Sequence, residues 1–139
     1  MQVREIMSSH LQSVAPDASL SYAAQQMRDL DIGMLPVQAD GEIVGTLTDR
    51  DITIRATASG ADPNATQVGE IMSHDIFTCS AEDDLLQAAR VMEDHQVRRL
   101  IVQDQSGKYV GMLALADIAR HREMEDLGAE ILSGVSQPH

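Results

Sequence analysis

The chain has 139 residues, with 10 Lys and Arg against 22 Asp and Glu for a formal charge of −12, and 43% of it is hydrophobic. That describes one compact domain or a pair of very small ones, able to bury a core without disulfides or metal. The acidic balance repels phosphate backbones and anionic membranes, and two Tyr, one Phe and no Trp offer little for bases to stack on, so nucleic-acid and membrane partners are not expected. Cys79 alone forms no internal disulfide, no Cys/His spacing resembles a zinc site, and no stretch has the length of a membrane span or the apolar run of an export signal. The expected location is the cytoplasm.

In chain order, Val3-Arg4-Glu5-Ile6-Met7-Ser8 is a short helix-like turn, and Leu11 to Val14 a short strand candidate. Pro16-Asp17-Ala18-Ser19 is a turn ending in helix-capping residue types, after which Leu20, Ala23, Ala24, Met27 and Leu30 mark one helix face. Met34 to Gln38 and Ile43 to Leu47 read as strands joined by the hairpin signal Asp40-Gly41, and Asp49 to about Ala58 as a helix. Gly60 to Thr66 is polar and reads as a linker.

The chain then repeats itself. Val68-Gly69-Glu70-Ile71-Met72-Ser73 restates the opening hexapeptide 65 residues later, and Leu85, Ala88, Ala89 and Met92 restate the helix face at the same offset. One inserted residue at the hairpin shifts the offset to 66, and Gly45, Leu47, Asp51 and Ile52 return as Gly111, Leu113, Asp117 and Ile118. The expected spans are repeat one over 1–59, a linker over 60–67, repeat two over 68–122, and a C-terminal helix and tail over 123–139. The fold class is α/β in the α+β sense, with two β-α-β-β-α repeats packed about a pseudo-twofold axis. Neither repeat covers both faces of its sheet, so the pair is expected to enclose two related clefts, and clefts at repeat junctions favour small ligands.

Thr48-Asp49-Arg50-Asp51 places a hydroxyl, a guanidinium and carboxylates where the last strand of repeat one meets its last helix. A carboxylate accepts both hydrogens of a vicinal diol, and the Thr48 hydroxyl suits an anionic oxygen. The same Thr-x-x-Asp spacing is a capping box, and the residues alone leave both uses open. In repeat two Asp117 persists, while Ala114 and Ala116 stand for Thr48 and Arg50, so the Thr48/Asp51 cleft is the better site of the two. Arg98-Arg99 enters the middle strand of repeat two. The pair is either a phosphate clamp or a surface pair answering Glu93, Asp94 and Asp104. Cys79 reads as a small core residue at a strand end. No nucleophile, acid/base pair or metal cluster can be assembled from the sequence.

The doubled unit, the string Gly45-Thr46-Leu47-Thr48-Asp49-Arg50-Asp51-Ile52 and Gln96-Val97-Arg98-Arg99-Leu100 closely resemble tandem CBS domains, the Bateman module. Within that family the chain is most similar to stand-alone bacterial CBS-pair proteins, including hypoxia-responsive ones. The resemblance implies a non-enzymatic sensor that binds an adenosine-containing ligand: AMP first, then ADP, ATP, NAD(H) or S-adenosylmethionine, none of them an obligatory cofactor. It implies that Asp51 holds the ribose hydroxyls and Thr48 the ribose or phosphate. Arg98 and Arg99 would then face the phosphates, and Met34 and Pro36 would line the adenine slot. It further implies a homodimer and an unidentified protein target. The alternative is a ligand-independent scaffold with a vestigial site.

Overall fold

Ser19 accepts the Tyr22 N–H at 3.1 Å and starts helix α1, Leu20–Leu30, which Asp31 ends in the left-handed region at φ 53°. Leu20, Ala23 and Met27 turn inward at helical spacing, while Ala24, expected on the same face, is exposed. Strands β1 (Met34–Ala39) and β2 (Glu42–Thr48) pair antiparallel through Asp40 and Gly41, whose φ values of 53° and 78° suit a two-residue hairpin. Helix α2 (Asp49–Asp51) continues as a π-helix over Ile52–Thr57, and the short α3 (Val68–Ile71) follows. These elements form one packing unit of the computed structural model, Leu11–Ile76. The second unit combines Met1–His10 with the chain from Phe77. The structure describes residues 1–123, so the tail expected beyond Glu123 lies outside the described residues.

The second unit holds a 3-10 turn (Val3–Glu5), β3 (Thr78–Ser80), α4 (Leu85–His95), β4 (Arg99–Gln103), β5 (Tyr109–Ala114) and a helix α5 over 115–123. Its sheet runs β3-β4-β5, with β3 parallel to β4 and β5 antiparallel. In the first unit the strand expected at Leu11 to Val14 shrinks to one bridged residue, Val14 opposite Val37, and Leu11 is exposed. Pro36 explains the difference. The Ile101 N–H donates to the Phe77 carbonyl at 3.0 Å, and Pro36, 65 residues earlier, has no N–H to extend the ladder. Each unit builds its own core. Leu20, Ala23, Met27, Leu35, Val37, Leu47 and Val68 pack in the first, and Val3, Cys79, Leu85, Ala88, Met92, Leu100, Val102 and Leu113 in the second.

The repeated hexapeptide is explained position by position. Glu5 and Glu70 each accept the N–H three residues back, from Gln2 and Gln67, at 2.7 Å. Val3 and Val68 are fully buried, and Ser8 and Ser73 pair with the outer strand of a hairpin, at Met112 and Thr46. The strap that opens repeat two closes the first unit: Val68 and Gly69 donate to Ala18 and Pro16 at 2.8 Å. The strap that opens repeat one closes the second unit, where Val3 and Arg4 donate to Asp83 and Ala81 at 2.8 and 2.9 Å. Sequence repeat and packing unit therefore differ, and the spans 1–59, 60–67 and 68–122 do not divide the packing. The stretch expected as a linker is docked, since Leu20 and Ser21 donate to the Thr66 and Pro63 carbonyls at 3.0 Å.

Gly45 permits that closure: a Cβ there would lie 2.6 Å from the Ser73 carbonyl oxygen and 2.9 Å from Met72 Sδ. Gly111 is in the same position against the Ser8 carbonyl and Met7. We expect Gly45→Ala to lower the unfolding free energy by about 1–3 kcal/mol in urea titrations, because the obstacle is backbone. An unchanged midpoint would show that the strap does not hold this approach in solution. Burial, then the nearby Asp83 charge, pushes the Cys79 thiol up to about 12, and burial pushes Tyr109 up to about 12. Both groups fold in their neutral forms. Their contribution is complete below the unfolded pKa values, roughly 8.5 and 10, and is lost as pH rises toward the folded ones. Stability should decline above about pH 9, less steeply in Cys79→Ala, in urea unfolding measured from neutral to alkaline pH.

Candidate functional site

Residues directly opposite in an antiparallel pair share a face, and faces alternate along a strand. Leu35 pairs with Leu47 and faces the first unit's core. The other face therefore carries Met34 opposite Thr48 and Pro36 opposite Thr46. Met34, Pro36 and Thr46 are buried outside that core, so this face combines an apolar strip with two hydroxyls. Thr46 is the buried polar side chain among the described residues.

At the end of β2 the chain turns into α2 through a complete capping box. The Asp51 N–H donates to Thr48 Oγ1 at 3.0 Å, and the Thr48 N–H to Asp51 Oδ2 at 3.0 Å. Capping leaves chemistry in reserve, because the Thr48 hydroxyl still has its proton to donate and a carboxylate offers about four acceptor positions. The second oxygen, Oδ1, lies 3.9 Å from Arg55 Nε, and Asp51 stays largely buried, with 16% side-chain exposure. Arg50 is exposed, and its N–H donates to Asp49 Oδ1 at 2.9 Å.

The second unit repeats this frame with different chemistry. Arg99 pairs with Ala114 and Ile101 with Met112, so Arg99 occupies the register position of Met34 and Ala114 that of Thr48. Asp117 accepts the Ala114 N–H at 3.1 Å and pairs with Arg120, and no hydroxyl completes the box. Arg98 is exposed, and its carbonyl accepts the Leu115 N–H at 2.8 Å. The first unit thus brings Thr48, Asp51, Met34, Pro36 and Arg50 to one end of its hairpin. The second brings Arg98, Arg99 and Asp117 to the equivalent end.

Two residues escaped the sequence reading. Thr46 stands two before Thr48, and period-two alternation would have put both hydroxyls on one face. Arg55 stands four after Asp51, a spacing that pairs side chains along a helix. Among the described residues, no group of three or more His, Cys, Asp and Glu could hold a metal ion, and no helix is long and apolar enough to cross a membrane.

A profile of the CBS domain matches residues 3–56 and 68–123. Hypoxic response protein 1 of Mycobacterium tuberculosis is 42% identical over 119 residues, covering 85% of this chain and 82% of that protein. Hypoxic Response Protein I, solved with two coordinated zinc ions, superposes with a TM-score of 0.75 at 41% identity, covering 87% of this chain and 98% of its own. The CBS domain pair of MJ0100, solved in complex with 5′-methylthioadenosine and S-adenosyl-L-methionine, superposes with a TM-score of 0.80 at 25% identity, covering 90% of this chain and 98% of its own.

The two boxes differ by one hydroxyl, and stability should register it. Thr48→Ala is expected to cost about 1 kcal/mol in chemical denaturation and Thr48→Ser a few tenths at most. Ala114→Thr should add up to about 1 kcal/mol, because the Asp117 half of its box is already bonded.

Proposed function

The chain belongs to the CBS-domain family as a tandem pair, and from that footing we propose that it is a non-catalytic regulatory module binding an adenosine-containing ligand at Thr48 and Asp51. The observation that carries the reading is a hydroxyl–carboxylate pair, with donor and acceptor capacity left over, at the end of a buried apolar strand face. A ribose diol donates both hydroxyl hydrogens to Asp51, and the Thr48 hydroxyl donates to a ribose or phosphate oxygen. Met34 and Pro36 supply the apolar surface for adenine. Arg98 and Arg99 are assigned to phosphate, with Arg50 as a further cation and Asp117 at the weaker copy of the site. AMP leads the ligand series, followed by ADP, ATP, NAD(H) and S-adenosylmethionine; the CBS pair of MJ0100, in complex with 5′-methylthioadenosine and S-adenosyl-L-methionine, is the precedent for adenosyl ligands.

Bound ligand acts by shifting the protein between arrangements, and the shift is limited by its differential affinity for them. The readout would be a protein target or the protein's own homodimer. Exposed Tyr22, Ile54 and Leu86 on helical segments support self-association. The competing reading, a ligand-independent scaffold, rests on the same box, since two capping bonds are a sufficient structural use of Thr48 and Asp51.

Titration calorimetry against the five ligand types separates the two. Asp51→Ala should abolish binding while the circular dichroism spectrum stays unchanged, and binding at 100 times Kd should stabilise the parent protein by about 2.7 kcal/mol. Wild-type affinity in Asp51→Ala would remove the assignment, and no binding by any of the five would favour the scaffold.

A further inference from the structure

We propose that Arg55 is a positioning residue that ties the Asp51 carboxylate to the strap 68–73, so that whatever engages Asp51 is felt at the bridge closing β2. The mechanical half of this inference stands on geometry alone, and its functional half rests on the ligand reading above.

The links form one chain inside the first unit. Arg55 Nε lies 3.9 Å from Asp51 Oδ1, and Arg55 Nη1 donates to the carbonyls of Ile71 at 3.3 Å and Met72 at 3.4 Å. Those carbonyls sit at the C-terminal end of α3, where helical oxygens have no intrahelical donor. The next residue, Ser73, exchanges two backbone hydrogen bonds with Thr46, at 2.8 and 2.9 Å. Thr46 belongs to the strand face that carries Thr48. The guanidinium's fixed fork of donors lets one side chain address a carboxylate and two carbonyls at once.

The helix is built to put it there. Over Ile52–Thr57 the winding is π, with the Ala58 N–H donating to the Thr53 carbonyl at 3.0 Å, five residues back. Ser59 Oγ donates to the carbonyls of Arg55 at 2.7 Å and Ala56 at 3.0 Å, occupying oxygens of the widened segment. Such π segments cost regular hydrogen bonding and occur frequently at functional sites. In the second unit α5 is α-helical throughout 115–123, and the cation on Asp117 is Arg120, three residues on rather than four. The π segment therefore accompanies the copy that has the hydroxyl.

Asp51 Oδ2 already accepts the Thr48 N–H and Oδ1 faces Arg55, so a diol that donates to both oxygens meets the guanidinium at Oδ1. A ligand that donates to Oδ1 weakens the hold on the guanidinium, and with it the hold of Arg55 on Ile71 and Met72. Thermodynamic reciprocity requires that the strap in turn bias the affinity of Asp51 for that ligand. Arg55 is half exposed, where an ion pair contributes little to stability, so orientation is its use.

Amide hydrogen exchange by NMR tests both halves in the intact protein. Without ligand, Arg55→Met should raise exchange at Ser73 and Thr46 severalfold, and leave Ser8 and Met112, the matching bridge of the second unit, unchanged. Asp51→Asn should do the same, with no further increase in the double variant, and Arg55→Lys should restore part of the protection. Unchanged exchange at Ser73 and Thr46 in Arg55→Met overturns the proposal, whether or not any nucleotide binds. With AMP as probe, wild-type exchange at the bridge should move in the direction of Asp51→Asn, and Arg55→Met should bind AMP without that change. AMP binding that leaves the wild-type bridge unaltered overturns the functional half. Absence of AMP binding counts against the ligand reading for AMP and leaves the ligand-free result to decide the mechanical link.

Discussion

Ser73 and Thr46 exchange two backbone hydrogen bonds across the open edge of the β1–β2 hairpin, and Ser8 and Met112 do the same on β5. A hairpin of two strands is marginal in water and leaves a row of unpaired groups on its outer strand. The straps supply the missing partners, but only because Gly45 and Gly111 let backbone approach backbone where any Cβ would collide. Around that approach the rest of each unit is arranged. The strap's valine belongs to the unit's core, its glutamate accepts the N–H three residues back, and its methionine lies against the glycine.

The alternation of a strand then decides what the outward face can do. In both units the inward positions of the hairpin are Leu and Val, as core packing demands, with Gly45 and Gly111 where the strap approaches. The outward positions are free of that demand, and they diverge: Met34, Pro36, Thr46 and Thr48 in one unit, Arg99, Ile101, Met112 and Ala114 in the other. One frame thus presents an apolar face with two hydroxyls and an apolar face with a single arginine. Thr48 and Asp51 serve the backbone and retain capacity for a ligand, because a hydroxyl both accepts and donates and a carboxylate has more acceptor positions than one N–H uses.

The legible parts of the fold were those governed by short-range rules. α1 runs over Leu20–Leu30, where an N-cap serine and 3.6-residue spacing place it, and the hairpin turns at Asp40-Gly41 because both residues tolerate positive φ. Thr48 and Asp51 were legible as a pair by their spacing and by the contrast with Ala114. The pattern at Leu11 to Val14 does not become a strand, because its ladder depends on a residue about two dozen positions away, Pro36, which accepts the Val14 N–H but has no N–H to donate. Arg55 was passed over because its partners at Ile71 and Met72 are 16 and 17 residues distant in the chain.

By itself the sequence determined the repeat, the first helix and hairpin of each copy with their buried Leu and Val, and the asymmetry of the two boxes, since each of these is written in neighbouring residues or in the comparison of one copy with the other. Tertiary structure alone decided which strap closes which unit, that the stretch over 60–67 is docked on α1, that the helix after Asp51 winds as a π segment, and that Arg55 spans from a carboxylate to the strap. For the last three the partners are simply distant in the chain, and for the straps there is a further reason. Two copies of one motif offer the same hydrogen-bonding and packing partners at two places, and local chemistry cannot distinguish between equivalent partners. Only the closing of the chain in three dimensions assigns each strap to its edge.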